Sequence, residues 1–310
     1  MRVVSLLPAG TEIVAALGAF EHLVGVTHEC DHPAAVISRA RVTTSAIDAA
    51  RDAGAVDAQV RANSAAGAPL FALDATRIAA LRPDLILTQA LCDVCAVSET
   101  DVRALAVRLT PVPRVVTLAA ATIDGVLDDI ARVAAALSLD DEAEELLAGL
   151  RARLRRVHET LKAASAPRPR VAVIEWTDPV YAAGHWVPEM VRKAGGIDVV
   201  ATAGAHSVTV DVDAVRSADP EVLFVSPCGY DVARAARAAE WLLARPEWAW
   251  ARGRRIWALD ANGIVSRPGP RLVDGIETMA AAMHPELFPA PLSEHARDLT
   301  RATILRPVAV

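Results

Sequence analysis

The hydrophobic pattern of residues 2–118 alternates between short continuous apolar runs and stretches in which apolar residues recur every three or four positions. A short apolar run predicts a buried strand, and the longer period predicts an amphipathic helix. Alternation of the two is typical of βα units around a mostly parallel sheet. The predicted strands are residues 3–6, 23–26, 85–88 and 115–118, and the predicted helices are residues 12–17, 55–62, 74–81 and 99–109. Thr11 is the predicted N-cap of the first helix, and Gly18 is predicted to lie just beyond its C-terminal end.

The same alternation restarts after the proline-containing segment 166–169. Here the predicted strands are residues 171–175, 222–226 and 256–259, and the predicted helices are residues 188–194, 212–218 and 271–283. The chain from Pro285 onward is interrupted by prolines, which predicts a peripheral tail. The two halves of the chain therefore predict two βα lobes.

Residues 122–164, between the two halves, contain no proline and keep a helical period. A break is predicted near residues 138–140, where Ser138 or Asp140 is suited to cap a second segment. At about 1.5 Å per residue, the run from 141 to 164 would extend about 36 Å. The predicted fold class is α/β, with two βα lobes that each hold a mostly parallel sheet and are joined by one long interlobe helix. The predicted domains are an N-terminal lobe (1–120), a helical linker (121–166), a C-terminal lobe (167–288) and a tail (289–310).

An internal repeat relates the two lobes. Residues 80–88 match residues 217–225 at a constant offset of 137. In both segments a helix ends before a proline and a buried strand follows, because proline cannot continue a helix. Ligands of open α/β sheets bind beyond the carboxyl ends of the strands, so the predicted ligand site is a cleft between the lobes.

Composition and charge exclude several classes of protein. Hydrophobic residues make up 53% and charged residues 23%, which is typical of a chain with a buried core and excludes a disordered one. The net charge of −6 argues against a nucleic-acid partner, and no apolar run reaches the ~18 residues of a membrane span. The chain opens on a strand pattern without a secretory leader, and its four cysteines suit a reducing compartment, so the expected localisation is cytoplasmic. A periplasmic or lipid-anchored protein whose leader has been removed is the alternative.

Three of the cysteines follow predicted strands of the first lobe. Cys30, Cys92 and Cys95 fall on loops after strands, and His28 precedes Cys30 by two residues. Parallel strands end along one edge of a sheet, so we expect the three sulfurs to meet at one point. With His28 they are suited to bind zinc or an iron–sulfur cluster. Packed apolar thiols and a Cys92–Cys95 redox pair are the alternatives.

Several segments carry a family resemblance. Over about residues 2–285, the chain resembles the class III solute-binding proteins, which deliver vitamin B12, haem or ferric siderophores to ABC importers. The matching features are residues 4–12, 24–33 and 81–86 and the long interlobe helix. It is most similar to the cobalamin-binding group, in residues 27–31, 91–97, 183–188 and 267–271. The resemblance implies that the protein binds cobalamin, another corrinoid or a related metal chelate.

The resemblance and the predicted strand ends together select the residues that contact this ligand. The indoles of Trp176 and Trp186 are suited to stack on a broad apolar face, with packing in the lobe core as the alternative. His185 is suited to coordinate cobalt or to hydrogen-bond a corrin amide, with a satisfied loop residue as the alternative, and His206 lies at a comparable rim position. The predicted ligand-binding residues are Glu29, Ser45, Cys92, Trp176, His185, Trp186, Ser207, Tyr230 and Asn262.

The resemblance also implies an ABC permease as partner. Importer receptors of this kind present one carboxylate from each lobe to arginines of the permease. The repeat offset places the corresponding positions at Thr76 and Asp213, and Thr76 has no carboxylate, although Asp74 precedes it by two residues. Thr76 and the missing leader therefore weaken the expected permease contact.

Catalytic sequence motifs are missing. The chain has no Gly-x-Ser-x-Gly, no phosphate-binding glycine loop and no His-Glu-x-x-His, so we do not expect an enzyme. Two other hypotheses stay open at this point. One is a cytoplasmic zinc or iron–sulfur redox protein that uses the His/Cys cluster, and the other is a corrinoid-modifying enzyme.

Overall fold

The computed structural model describes residues 1–90 and 97–300. The chain divides into two compact units. The first consists of Met1–Ala120 and Asp124–Gly149, and the second of Ala121–Ile123 and the chain from Leu150 onward. Each unit holds a sheet of its own.

The first unit alternates strands and helices, as the apolar pattern predicts. Its strands are β1 (Val3–Ser5), β2 (Leu23–Val26), β3 (Ala40–Arg41), β4 (Thr43–Ser45), β5 (Phe71–Leu73), β6 (Leu85–Gln89) and β7 (Arg114–Leu118). Its first four helices are α1 (Pro8–Ala16), α2 (Ala53–Ala65), α3 (Ala75–Leu81) and α4 (Glu99–Ala106), with short 3-10 helices at Phe20–His22 and Ala34–Ser38.

Five of these strands form a fully parallel sheet in the order β3-β2-β1-β6-β7. The central strand is β1, in which Val3 is opposite both Leu23 and Leu85. Val4 and Ile86 are completely buried. Strands covered on both faces are continuous apolar runs in sequence, which is why the pattern predicts them. The predicted parallel sheet of the first lobe is confirmed.

The first helix begins earlier than predicted. It starts at Pro8, which fits the first helical turn because proline lacks the N–H that this position leaves unbonded. The prediction that Thr11 is the N-cap is therefore wrong: Thr11 is buried inside the helix. The predicted end is confirmed, since Gly18 follows the C-cap residue with a φ of +74°.

The segment between the two predicted lobes forms two helices, α5 (Ile123–Leu137) and α6 (Asp140–Ala163). The predicted break is confirmed at Ser138, whose φ of +58° ends the first helix. The long predicted helix therefore corresponds to α6, with 24 residues and a length of about 36 Å.

In the described part of the second unit, the main sheet has seven strands. These are β8 (Arg170–Thr177), β9 (Val180–Ala182), β10 (Ile197–Asp198), β11 (Val208–Thr209), β12 (Val222–Val225), β13 (Arg255–Leu259) and β14 (Ala296–Asp298). The helices are α7 (Val187–Lys193), α8 (Val212–Ser217), α9 (Val232–Ala244), α10 (Ala261–Ile264) and α11 (Leu272–Met283), with a 3-10 helix at Pro246–Ala251.

The centre of this sheet is parallel and its edges are antiparallel. The order is β11-β9-β8-β12-β13-β14, with β10 beside β8, and β8, β10, β12 and β13 run parallel. Strand β14 belongs to the segment that the sequence assigns to a peripheral tail. Its three residues, one apolar and two charged, carry no strand pattern, so the pairing with β13 could not be predicted.

The predicted repeat is also visible in the backbone. Asp74 and Asp211, which are 137 residues apart, are the N-caps of α3 and α8. Arg82, the C-cap of α3, and Asp219, the residue after the C-cap of α8, are at the same offset and both have a φ of +45°. A buried parallel strand follows in each case, β6 in the first unit and β12 in the second.

Candidate functional site

Two loops of the second unit meet beside the end of β8. Gly184, which follows β9, donates its N–H to Oε2 of Glu175 over 3.3 Å. His185 donates its own N–H to the carbonyl of Ala205 over 2.6 Å, and its carbonyl accepts from Gly204 over 2.8 Å. These three hydrogen bonds fix the loop that carries His185 against the loop that leads into β11.

The close approach of the loops requires a glycine at position 184. A Cβ atom there would lie 2.4 Å from the backbone nitrogen of Ser207 and 2.6 Å from the carbonyl oxygen of Ala205. Both obstacles are backbone atoms, which cannot move aside as a flexible side chain would. The predicted ligand residues His185 and Ser207 are thereby brought together.

Two histidines face each other across this junction. Nε2 of His185 lies 3.3 Å from Nδ1 of His206, and the two rings are nearly perpendicular, with centroids 5.1 Å apart. His185 has a φ of +53°, a conformation that residues with a side chain rarely adopt. Burial, followed by the neighbouring His206, lowers the pKa of His185, so its ring is neutral at neutral pH.

Glu175 is a buried carboxyl group at the base of the same junction. Burial raises its pKa, while the hydroxyl of Ser207 and the N–H of Gly184 oppose the rise. Trp186, the next predicted contact, is buried, with 5% of its surface exposed, and donates its indole N–H to the carbonyl of Val265 over 2.8 Å. This indole therefore packs inside the unit and supports the loop of His185.

A second group of predicted contacts lies around Tyr230. Trp176 packs edge-on against the Tyr230 ring with centroids 5.5 Å apart. The guanidinium of Arg234 lies 3.7 Å from the centroid of the same ring. Asn262 donates its backbone N–H to the Tyr230 carbonyl over 3.0 Å, and its side-chain oxygen accepts from Arg267 over 2.7 Å. We call Trp176, Tyr230, Arg234, Asn262 and Arg267 the Tyr230 cluster.

Two members of the Tyr230 cluster are missing from the predicted contacts. Arg234 lies in the first turn of α9, where its sequence position is that of an ordinary exposed helix residue. Arg267 is buried, with only 7% of its surface exposed. Arg267 could have been predicted as a contact, because it is a charged residue beside a proline in a segment that resembles the cobalamin-binding group.

The predicted contacts of the first unit follow β2 and β4. His28 is half-buried, and its Nδ1 lies 2.8 Å from Oγ1 of Thr43. Burial, with a smaller effect of Arg41, lowers the pKa of His28. Glu29 is exposed, and so is Ser45, whose hydroxyl accepts from the N–H of Ile47 over 2.9 Å.

The predicted metal site of His28, Cys30, Cys92 and Cys95 is described only in part, since Cys92 and Cys95 lie outside the described residues. Cys30 is buried, and its Sγ lies 3.1 Å from Oγ1 of Thr11, whereas His28 contacts Thr43. Within residues 1–90 and 97–300, no three or more His, Cys, Asp or Glu side chains come together in a group able to hold a metal ion. The shared-sulfur site therefore stays a prediction.

The two positions predicted to face a permease lie on exposed helices. Thr76 is exposed on α3, where Asp74 is occupied as the N-cap. The side chain of Asp213 on α8 is 69% exposed and lies 3.1 Å from Arg216. Among the described helices, none combines the length and the apolar character needed to cross a bilayer.

Comparisons with known proteins agree with this architecture. Residues 3–256 match the family model described as periplasmic binding protein. The vitamin B12-binding protein of Vibrio cholerae serotype O1 is 22% identical over 276 residues, which are 89% of this chain and 86% of that protein. An ABC transporter substrate-binding lipoprotein of Bacillus subtilis strain 168 is 23% identical over 294 residues, 93% of this chain and 81% of that protein.

A solved structure gives the same result for the fold. A periplasmic haem-binding protein from Pseudomonas aeruginosa matches with a TM-score of 0.71 and 25% identity, over 96% of this chain and 97% of that one. These matches confirm the family resemblance and the α/β fold class that the sequence predicts.

Proposed function

The chain belongs to the periplasmic binding protein family, and from this premise we propose that it binds a corrinoid or a related tetrapyrrole for an ABC importer. The names of its relatives include a vitamin B12-binding protein and a haem-binding protein. These relatives are binding proteins, and they support neither the zinc or iron–sulfur hypothesis nor the corrinoid-modifying enzyme. We propose no catalytic activity.

The Tyr230 cluster is the observation that carries the choice of ligand class. A tetrapyrrole has a broad apolar face and a polar rim, with amides in corrinoids and carboxylates in haem. Trp176, which is half-buried, supplies an aromatic ring for the face, and the Tyr230 ring, which is only 5% exposed, packs against it from inside the unit. Arg234, which is half-buried beside the Tyr230 ring, supplies a guanidinium group that donates to both kinds of rim, whereas the buried Arg267 donates to Asn262.

The remaining predicted contacts receive supporting roles in this proposal. His185 and Ser207 would contact polar atoms of the ligand, and the buried Trp186 would hold the loop of His185 in place. Glu29 and Ser45 of the first unit have exposed side chains and remain proposed contacts on the basis of the sequence. Cys92 remains a proposed contact on the basis of the resemblance alone.

The same relatives bear on localisation and partner. Their names describe periplasmic and lipoprotein substrate-binding proteins, which favours the periplasmic or lipid-anchored alternative over the cytoplasmic expectation. An ABC permease is the proposed partner. The exposed carboxylate of Asp213 would contact the permease, whereas Thr76 offers only a hydroxyl.

A visible-light titration of the ligand-free protein tests the ligand class. Cyanocobalamin, dicyanocobinamide and haemin are added in separate experiments, and saturation is followed in the absorption bands of each ligand. We expect a Kd in the micromolar range or below for a corrinoid, which corresponds to about −8 kcal/mol or better. Binding of haemin alone would overturn the corrinoid assignment, and saturation by none of the three would overturn the proposal.

A pair of tryptophan variants tests the Tyr230 cluster. Trp176→Ala should weaken ligand binding at least about tenfold, or about 1.4 kcal/mol, because it removes an aromatic surface for the macrocycle. Trp241→Ala is the matched control: this indole is 48% exposed on α9 and lies under Arg245, apart from the cluster. Equal affinities of the two variants would remove the cluster from the site.

A further inference from the structure

The facing histidines of the second unit have the spacing of two ligands of one metal ion. Two nitrogens bound to a zinc ion at about 2.0–2.1 Å and at a tetrahedral angle lie about 3.3 Å apart. Nε2 of His185 and Nδ1 of His206 are separated by 3.3 Å. We propose that His185 and His206 form a two-imidazole site for a divalent transition-metal ion such as Zn²⁺.

The backbone around the pair is built for this separation. His185 is held in the left-handed region by its bonds to Ala205 and Gly204, and these bonds tie it to the loop that carries His206. Gly184 lets the loops touch, because any Cβ atom there would collide with the backbone of residues 205–207. A positive φ at a histidine is costly, so its persistence requires support from the surrounding structure.

The chemistry of the two rings fits the same role. Neutral imidazole is the form that binds zinc, copper and nickel, and burial favours the neutral form of His185. His206 is exposed, so its ring can turn slightly to aim Nδ1 at an ion placed between the two nitrogens. Glu175 accepts from the N–H of Gly184, the residue before His185, and so helps to hold the loop of His185 in place.

The pair leaves the other coordination positions of the ion open. In the described part of the chain no third His, Cys, Asp or Glu joins the two imidazoles in a metal-binding group, so water would complete the shell. The site is also distinct from axial ligation of a tetrapyrrole, because axial ligands lie on opposite faces of the macrocycle and adjacent nitrogens cannot occupy both. The zinc site shares His185 with the proposed tetrapyrrole contacts, so zinc binding is tested without tetrapyrrole.

Zinc binding to the untagged protein without tetrapyrrole tests the site. Calorimetry at pH 7.5 measures affinity, and long-range proton–nitrogen NMR of the histidine rings identifies the bound nitrogens. We expect Zn²⁺ to shift Nε2 of His185 and Nδ1 of His206 together, with one ion per chain at this site. Zinc that shifts neither ring, or only one of them, would overturn the proposal.

Three variants separate the geometry from the mere presence of histidine. His206→Ala should weaken zinc binding at this site at least about tenfold. Gly184→Ala should weaken it comparably although both imidazoles are kept, because the added methyl group separates the loops. His158→Ala, on the exposed surface of α6, should bind zinc like the unmodified protein.

The folded state of each variant is checked by circular dichroism, and if Gly184→Ala does not fold, His206→Ala and the NMR shifts decide. Unchanged affinity in His206→Ala would overturn the proposal. Zinc is the probe here and tetrapyrroles are titrated separately, so a negative result for one proposal does not change the result for the other.

Discussion

Asp198 is a buried carboxyl group in β10 whose charge has few partners. Its Oδ1 accepts hydrogen bonds from the N–H groups of Val200 and Ala201 over 3.0 and 2.9 Å. Within the described residues its Oδ2 is buried and makes no hydrogen bond. Burial raises the pKa of Asp198 to about 6, and the two backbone bonds oppose the rise only in part.

This shift makes stability depend on pH in a defined direction. Between about pH 4 and 6 the folded state keeps a proton that the unfolded chain releases, so wild-type stability falls as pH rises through this window. Asp198→Asn keeps the accepting oxygen without the charge, and above pH 7 it should be more stable than wild type by about 2 kcal/mol. Urea unfolding at pH 4 and pH 8 measures this, and a difference that does not grow with pH would contradict it.

Single residues also show the limit of what a sequence can predict about a site. The aromatic and histidine candidates were selected by their position after strands, and Trp176, Tyr230 and Asn262 do come together. Trp186 comes from the same loop as His185, yet its indole is buried and bonded to Val265. Side-chain direction in a loop depends on tertiary packing, which spacing along the chain does not encode.

At the scale of elements, α6 and α11 are joined by an ion triad. Arg153 donates to Glu277 over 3.1 Å from Nε and also to Asp274. Hydrogen bonds to Glu277 and Asp274 raise the pKa of the guanidinium, with Glu277 the larger cause. The carboxylates Asp274 and Glu277 of α11 therefore bind a neighbouring helix.

Removal of the arginine should loosen this helix pair. Arg153→Met keeps the aliphatic stem and leaves two carboxylates facing each other, so we expect a loss of about 1 kcal/mol in the free energy of unfolding. The figure is small because water screens three side chains that are each about 27–35% exposed. Arg156→Met, on the exposed side of α6, is the control. Equal stabilities of the two variants would show that the triad contributes nothing measurable.

Buried central strands were predictable from sequence whatever their length, whereas α9, with 13 residues, was not predicted. The central strands β1, β6, β8 and β12 are buried on both faces, so hydrophobicity alone reveals them. Strands β10 and β11 have two residues each, and they form only through pairing with a neighbouring strand, which the local sequence does not indicate. The start of α1 also differs from the prediction, because Pro8 lies in the first turn of the helix, where a proline fits without an N–H.

At the scale of the whole chain, the repeat and the family resemblance could be recognised from the sequence because each depends on many positions. The identity of the ligand was harder to predict, because few residues distinguish a corrinoid site from a haem site. Arg234 and Arg267 show this: each enters the Tyr230 cluster through a residue four or five positions earlier in the chain, a contact that depends on the local fold of the loop. The cysteine prediction stays open because two of its three sulfurs lie outside the described residues.

The ligand should also be visible as a change in the stability of the whole molecule. A ligand that binds only the folded state stabilises it by about 2.7 kcal/mol at a free concentration one hundred times its Kd. For a chain of 310 residues this should raise the thermal unfolding midpoint by several degrees, as measured by calorimetry or near-ultraviolet circular dichroism. Trp176→Ala should lose most of this increase at the same ligand concentration, because its Kd is higher, whereas Trp241→Ala should keep it. An unchanged midpoint, with a corrinoid that saturates the protein in the absorption titration, would mean that the ligand binds folded and unfolded chains equally. That result would contradict a site formed by Trp176, Tyr230 and Arg234, because these side chains come together only in the folded state.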